Sequence, residues 1–354
     1  MTTVRGRPLK IAVGTGLADE DWEQSAIWVR EAERLGVDSV WSNEAWGFDA
    51  ATPLAFLAGM TSTIRLGTGI LQAGTRSPAN IAMTALSLAS MSGERFSLGL
   101  GASGPQVIEG WHGVQFNSPM TRLRETVEIV RIAASGQRLS FSGKIYQIPL
   151  PGGPGKALQA GAKPRNIPIY LATLAPRSLQ MTGEIADGWL ASSFMPDHAG
   201  AFVEHIAVGA RRAGRQLADI DLQAGGVVAF SDDVDALIPP RKPGFAFEIG
   251  AMGSPAQNFY AQAYERQGYG EVTRRVQDLW YERRREEAAQ LIPDEFVLQS
   301  NLLGTPAMVK DRIRTYRDAG ITTLRVQPEG KTLDERLATL GQLMELVLEV
   351  NAEP

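Results

Sequence analysis

The chain has 354 residues, 44% of them apolar and 21% charged, with 3 histidines and no cysteine. At roughly 100–200 residues per domain this length allows two modest domains or one large barrel with insertions, and the composition excludes a disordered chain. The absence of cysteine removes disulfides, thiolate zinc sites and iron–sulfur clusters together, and a formal charge of −4 with dispersed Lys and Arg argues against a nucleic-acid partner. No apolar run approaches the length of a bilayer span, so no membrane partner is expected. The opening MTTVRGRPLK lacks the apolar core of a secretory leader, which makes a cytoplasmic setting the default and a small molecule the expected partner.

In chain order, Leu9-Lys-Ile-Ala-Val13 is a short apolar run ending in Gly14-Thr-Gly16, and Trp22, Ala26, Val29 and Leu35 then recur at helical spacing until Gly36. The same strand-then-helix unit returns at Asp38–Trp41 with a helix near 51–62, and at Ile64–Thr68 with a helix near 78–91. Arg95–Leu100 makes a fourth strand. After a Gly/Pro-rich stretch around 140–166, strands are expected at Ile167–Ala172, Gly188–Ala191 and Ile220–Phe230, and a last one at Thr322–Val326 precedes a C-terminal helix. Eight strands in strict alternation with helices predict a parallel sheet closed into a (β/α)8 TIM barrel, one α/β domain over residues 1–354. Residues 231–300 interrupt the alternation between strands 7 and 8 and read as a helical insertion, not a second core. Its mixed-charge run around Arg283–Arg285 reads as a solvated face.

In such a barrel the working face is the set of loops at the C-terminal ends of the strands. That face offers Gly14-Thr15-Gly16, Asn43-Glu44-Ala45-Trp46, Gly69-Ile70-Leu71-Gln72, Gly101-Ala102-Ser103-Gly104-Pro105 and Thr173-Leu174-Ala175-Pro176. It holds one carboxylate, apolar walls and many backbone amides, which suits a cofactor cradle. Gly99-Leu-Gly101-Ala-Ser-Gly104-Pro105 follows a strand and opens a helix, with side chains thinned so that N–H groups can face an anion. It matches G-x-G-x-x-G, but on the fourth strand, and Glu125 at the spacing of a ribose-binding acid lies in a helical repeat; a phosphate cradle in a barrel fits better than a dinucleotide fold. Glu44 can carry a proton or bond a cofactor edge, with a helix-capping acid as the structural alternative, and Asp49 is a weaker candidate. Trp46 can wall a ring, and His112 can orient a substrate. His198 and His205 share a helix face without a third ligand, so no metal is expected.

Several segments together resemble the luciferase-like flavin and deazaflavin oxidoreductases, and more closely their actinobacterial branch that uses coenzyme F420. They are Asn43-Glu-Ala-Trp-Gly-Phe-Asp-Ala50, Ile64-Arg-Leu-Gly-Thr-Gly-Ile70, Ser103-Gly-Pro-Gln-Val-Ile-Glu-Gly-Trp-His-Gly113, Glu184-Ile-Ala-Asp-Gly-Trp189, Asn258-Phe-Tyr-Ala-Gln-Ala-Tyr264 and Ile292-Pro-Asp-Glu-Phe296. The resemblance covers nearly the whole chain and implies the same barrel with a late insertion. It implies a cis peptide at Gly69–Ile70, a bulge there backing the deazaflavin ring, and Leu71 and Gln72 lining it. The cofactor phosphate would lie against Ala102, Ser103, Gly104 and Pro105 and against Thr173, Leu174 and Ala175. It implies a homodimer, with the insertion as a lid or a dimer contact.

Two departures narrow the activity. In the related sugar-phosphate dehydrogenases a catalytic histidine follows the strand-2 carboxylate, where this chain has Ala45, and the acid after the strand-4 loop is replaced by Pro105. The expected activity is therefore hydride transfer between the deazaflavin C5 and a small organic substrate, with Glu44, Trp46 and His112 as the candidate catalytic residues. An FMN-dependent monooxygenase on the same fold, or a deazaflavin-binding protein without turnover, are the alternatives.

Overall fold

A computed structural model describes residues 7–17, 20–253 and 258–353. Residues 1–6, part of the segment read as lacking a leader, lie outside them. Eight strands form the barrel: β1 (Lys10–Gly14), β2 (Ser39–Ser42), β3 (Arg65–Thr68), β4 (Phe96–Gly101), β5 (Ile169–Ala172), β6 (Gly188–Leu190), β7 (Asp221–Ala224) and β8 (Thr323–Pro328). Each pairs in parallel with the next, and β8 returns to β1 with Lys10 opposite Thr323 and Val13 opposite Val326, which closes the sheet. The principal helices are α1 (Trp22–Arg34), α2 (Ala51–Ala58), α3 (Pro78–Met91), α4 (Pro119–Ala134), α5 (Pro176–Ile185), α6 (Gly200–Arg212), α7 (Pro306–Asp318) and α8 (Leu333–Asn351).

Local chemistry sets where the helices begin. Asp21, Ser77, Thr305 and Thr332 each accept an N–H from the first turn of α1, α3, α7 and α8, and Pro78 and Pro306 occupy first-turn positions where no N–H is missed. The apolar faces of these helices bury against the outer face of the strands, where the main core lies.

The barrel interior is smaller and mixed. Ala12, Trp41, Tyr170 and Leu190 fill one part with Ile70 and Ala172. At the N-terminal end Asp221 accepts hydrogen bonds from Thr322 Oγ1 (2.6 Å), Thr323 Oγ1 (2.8 Å), Tyr170 OH (2.9 Å) and Gln223 Nε2 (2.9 Å). Burial alone would raise this carboxyl, but those donors hold it below the usual carboxylate range.

Short strands at Leu71–Gln72 and in an antiparallel pair, Phe141–Ser142 with Gln147–Ile148, add to the expected pattern, and the seventh strand departs from it. The run Ile220–Phe230 is two strands, β7 and Val227–Phe230, separated by Gly225-Gly226. A Cβ on Gly225 would lie 2.3 Å from the Arg325 carbonyl oxygen, and one on Gly226 2.3 Å from that of Ser300. Close backbone approach thus requires both glycines and breaks the strand. Val227–Phe230 pairs with the end of β8 and with a further short strand, Leu302–Gly304. Between these two lie the helices Lys242–Ala251, Phe259–Tyr264, Gly270–Tyr281, Arg285–Gln290 and Asp294–Ser300. They carry an apolar cluster of their own, including Ile249, Tyr264, Val276 and Phe296, which Met195 from the barrel joins. The sequence reading allowed this segment no second cluster; its apolar residues are spread over five helices, of which only Gly270–Tyr281 is long enough to show a pronounced apolar face.

Candidate active site

Thr68 ends β3, and the following Gly69–Ile70 peptide is cis, at the bond where the resemblance put one. Ile70 turns toward the barrel interior. A Cβ on Gly101 would meet its Cγ1 at 3.0 Å, so glycine on β4 makes the room that Ile70 occupies. The next residue faces the other way, as strand alternation requires: Leu71 is fully buried in the main core, and so cannot line a ring at the barrel mouth as the resemblance implied. Gln72 is also fully buried. Its Nε2 donates to the Ala45 carbonyl (3.0 Å), while its Oε1 has no partner among the described residues.

Glu44 is held by four donors. Arg76 Nη1 and Nη2 bond its two oxygens at 2.7 and 2.8 Å, and the N–H groups of Ala50 (3.2 Å) and Gln72 (3.3 Å) complete the set. This carboxylate ties the loop after β2 to the loop after β3, and it points away from the cavity that Asn43 and Ala45 line. Asp49 Oδ1 accepts the N–H groups of Ala51 and Thr52, both at 2.8 Å, and so starts α2. Trp46 is 55% exposed and His112 is exposed, neither against the cavity wall. Glu125 accepts N–H bonds from Lys144 (2.6 Å), Ile145 (3.0 Å) and Tyr146 (2.9 Å), which fixes a hairpin turn.

The loops after β4 and β5 lie side by side, since Gly101 is in register with Ala172. Ser103 sits in the left-handed region (φ 58°), and Gly104 precedes the short helix Pro105–Ile108. The N–H groups of Ala102, Ser103, Gly104, Thr173, Leu174 and Ala175 donate to no acceptor among the described residues. Such a set of free amides suits an anion with several acceptor oxygens. The Thr173 side chain is not part of it: its hydroxyl bonds that of Thr182 (2.7 Å), and its carbonyl accepts the Trp189 indole N–H (2.9 Å).

Arg266, which sequence reasoning missed, reaches this cradle from the inserted helices. Its Nη2 donates to the Leu174 carbonyl (2.8 Å), while Nε is buried without a partner. Burial lowers the pKa of this guanidinium, with Glu265 opposing in part. The neighbouring Gln267 is fully buried and bonds the Ser193 carbonyl (2.8 Å) and the Met195 N–H (2.9 Å), so the segment is anchored on the loops after β5 and β6.

A cavity of about 570 Å³ opens at the ends of β1, β2 and β8, within the range usual for small-molecule sites. Trp22, Trp28, Trp41 and Phe48 wall it, Asn43 stands at its rim, and Arg336 from α8 is its one charged wall residue among those described. No spacing rule joins Trp22, Trp28 and Arg336; closure of the barrel does.

A parallel β/α barrel with free backbone amides at the ends of β4 and β5 and an aromatic-lined cavity at the ends of β1, β2 and β8 offers donors to an anion and an apolar surface to a flat ligand at one end of the barrel. The chain belongs to the luciferase-like monooxygenase family, whose pattern it matches over residues 8–323. A Mycobacterium tuberculosis protein provisionally assigned as a coenzyme F420-dependent oxidoreductase is 39% identical over 313 residues, 86% of this chain and 90% of its own. The 5,10-methylenetetrahydromethanopterin reductase of Methanolobus tindarius is 28% identical over 323 residues, 90% and 94% of the two chains. The structure of the coenzyme F420-dependent tetrahydromethanopterin reductase of Methanopyrus kandleri superimposes with a TM-score of 0.78 at 24% identity, covering 95% of this chain and 98% of that one.

Proposed function

We propose that the protein is a coenzyme F420-dependent oxidoreductase that passes a hydride between the deazaflavin and a small organic substrate. The observation that carries this reading is the paired amide cradle with Arg266 beside it, a donor set that fits a phosphate-bearing tail. The 39% identity to the Mycobacterium protein supports the choice of cofactor. When bound, the deazaflavin supplies two-electron hydride chemistry at C5.

In this reading the N–H groups of Ala102, Ser103, Gly104, Leu174 and Ala175 would hold the tail phosphate. Gly69 and Ile70 back the ring. The substrate enters from the cavity beside Asn43 and Trp41. Glu44 acts through position: its bonds to Arg76, Ala50 and Gln72 occupy its acceptor sites and hold the two loops that border the ring. No described wall residue of the cavity is an acid, so the proton that accompanies hydride transfer reaches the substrate through water. The inserted helices brace the loops after β5 and β6 and shield the tail. Two such barrels pairing as a homodimer, with turnover in the cytoplasm, completes the proposal; among the described residues no helix is long and apolar enough to cross a membrane.

The test is an absorbance assay with the reduced deazaflavin and a panel of ketones, enones and imines. Oxidation of the cofactor that depends on both enzyme and one substrate class is expected. Tight binding with no turnover on any class would replace this reading with a binding protein.

A further inference from the structure

The cavity at the ends of β1, β2 and β8 combines an apolar aromatic wall with one cation, Arg336, that has no carboxylate partner among the described residues. Trp28 donates its indole N–H to the Gly14 carbonyl (2.9 Å), and Trp41 donates its own to Ser39 Oγ (3.1 Å). Both indoles are buried, at 1% and 2% exposure, so they back the cavity with no free donor. Trp22 and Phe48 extend the wall, edge to face at 5.2 Å.

Arg336 lies over the Trp28 ring with its Cζ 4.6 Å from the centroid. That contact holds the guanidinium on the indole at the cavity wall. One N–H, from Nη1, reaches the Gly16 carbonyl at 3.3 Å; the others bond nothing among the described residues. No described Asp or Glu lies within ion-pair distance of it, in contrast to Arg76, Arg241, Arg314 and Arg317, each of which has a carboxylate. Burial lowers its pKa with no neighbouring acid to restore it. A partly desolvated cation without a counterion is costly, and an incoming anion offsets that cost.

We propose that this cavity takes a substrate bearing a carboxylate on a flat, apolar body, with Arg336 as the residue that selects the carboxylate. The proposal rests on the reading of this cavity as the substrate side of the hydride-transfer site. A single guanidinium edge matches the two oxygens of a carboxylate. A phosphate, with its larger charge, would call for a second cation, and among the described wall residues there is no lysine and no second arginine. The body of the substrate lies against Trp22 and Phe48, the more exposed part of the aromatic wall.

Paired titrations of the full chain with 2-naphthoate and 2-naphthamide, read by quenching of the tryptophan fluorescence, test this. The wild-type chain is expected to bind the naphthoate at least tenfold more tightly, and Arg336→Met to bring the two ligands to equal affinity by weakening the naphthoate alone. Arg336→Gln, which keeps hydrogen-bonding capacity without charge, serves if the Met variant melts early, and should likewise lose most of the preference. Equal binding in the wild type, or a naphthoate preference that survives in either variant, overturns the proposal. A deazaflavin titration of the wild-type chain separates the two readings. Deazaflavin binding without naphthoate preference removes only the carboxylate anchor, and naphthoate preference without deazaflavin binding removes only the cofactor.

Discussion

The two carboxylate oxygens of Glu44 face the two terminal nitrogens of Arg76 at 2.7 and 2.8 Å, and this bidentate pair joins the loops that border the proposed ring site. Removing the charge in Glu44→Gln leaves Arg76 without its partner and loosens the Gln72 N–H. A loss of about 1–3 kcal/mol in stability is expected, with roughly tenfold weaker deazaflavin binding. The pH–rate profile of the variant keeps its shape and loses only height, because Glu44 holds the two loops and passes no proton. Loss of one limb of the profile would instead assign Glu44 the proton transfer.

Gly67 on β3 faces Trp41, and a Cβ there would fall 2.4 Å from Trp41 Cε3. Trp41 also meets Tyr170 edge to face at 5.1 Å, so it has little room to retreat. Gly67→Ala is expected to cost about 1–3 kcal/mol and to disturb the cavity floor, seen as a lower melting temperature and altered tryptophan emission. Gly74→Ala is the control. Its added Cβ meets only the Ile108 side chain at 3.5 Å, and the melting temperature should hold.

Arg266 contributes a cation beside the amide cradle and a bond to the Leu174 carbonyl. Arg266→Met should raise the deazaflavin dissociation constant about tenfold or more, in line with about 1.5–3 kcal/mol for a charge-assisted bond. Isothermal titration at two salt concentrations checks it: the wild type weakens with salt more steeply than the variant. Equal affinities would take Arg266 out of the site.

Glu248 on the inserted helix Lys242–Ala251 accepts from Ser193 Oγ and Tyr264 OH, each at 2.9 Å, on one oxygen. Burial pushes its carboxyl up, and the two hydrogen bonds counter this only in part. With the folded pKa above the unfolded one, the protonated acid favours the fold. That contribution is complete below about pH 4.3 and is lost as pH rises through the folded value. Glu248→Gln keeps both hydrogen bonds without a charge to bury. Its melting temperature should match the wild type near pH 4 and exceed it at pH 8 by one to three degrees, about 1 kcal/mol. A difference independent of pH would contradict the assignment.

The barrel was legible because its signals are local: apolar runs of four to six residues, each ending in a glycine-thinned or polar loop, repeat eight times. The loops after β4 and β5 were legible for the same reason. The cavity was not, since Arg336 and Gly16 are 320 positions apart in the chain and only the pairing of β8 with β1 brings them together. Arg266 was hidden because it lies in the turn Glu265–Tyr269, where Gly268 at φ 101° breaks the helical period. Glu44 was found but its role was not, because nothing in Asn43-Glu-Ala-Trp46 foretells that Arg76, beyond the next strand, will claim both oxygens. Trp46 drew attention from the adjacent carboxylate, yet the aromatic wall comes from Trp22, Trp28, Trp41 and Phe48.

Titration of the purified chain with the deazaflavin and with FMN, side by side and followed by cofactor fluorescence, tests the central claim most directly. The account predicts micromolar binding of the deazaflavin and at least tenfold weaker binding of FMN. Tighter binding of FMN would contradict it and direct the search to oxygen-dependent chemistry on the same barrel.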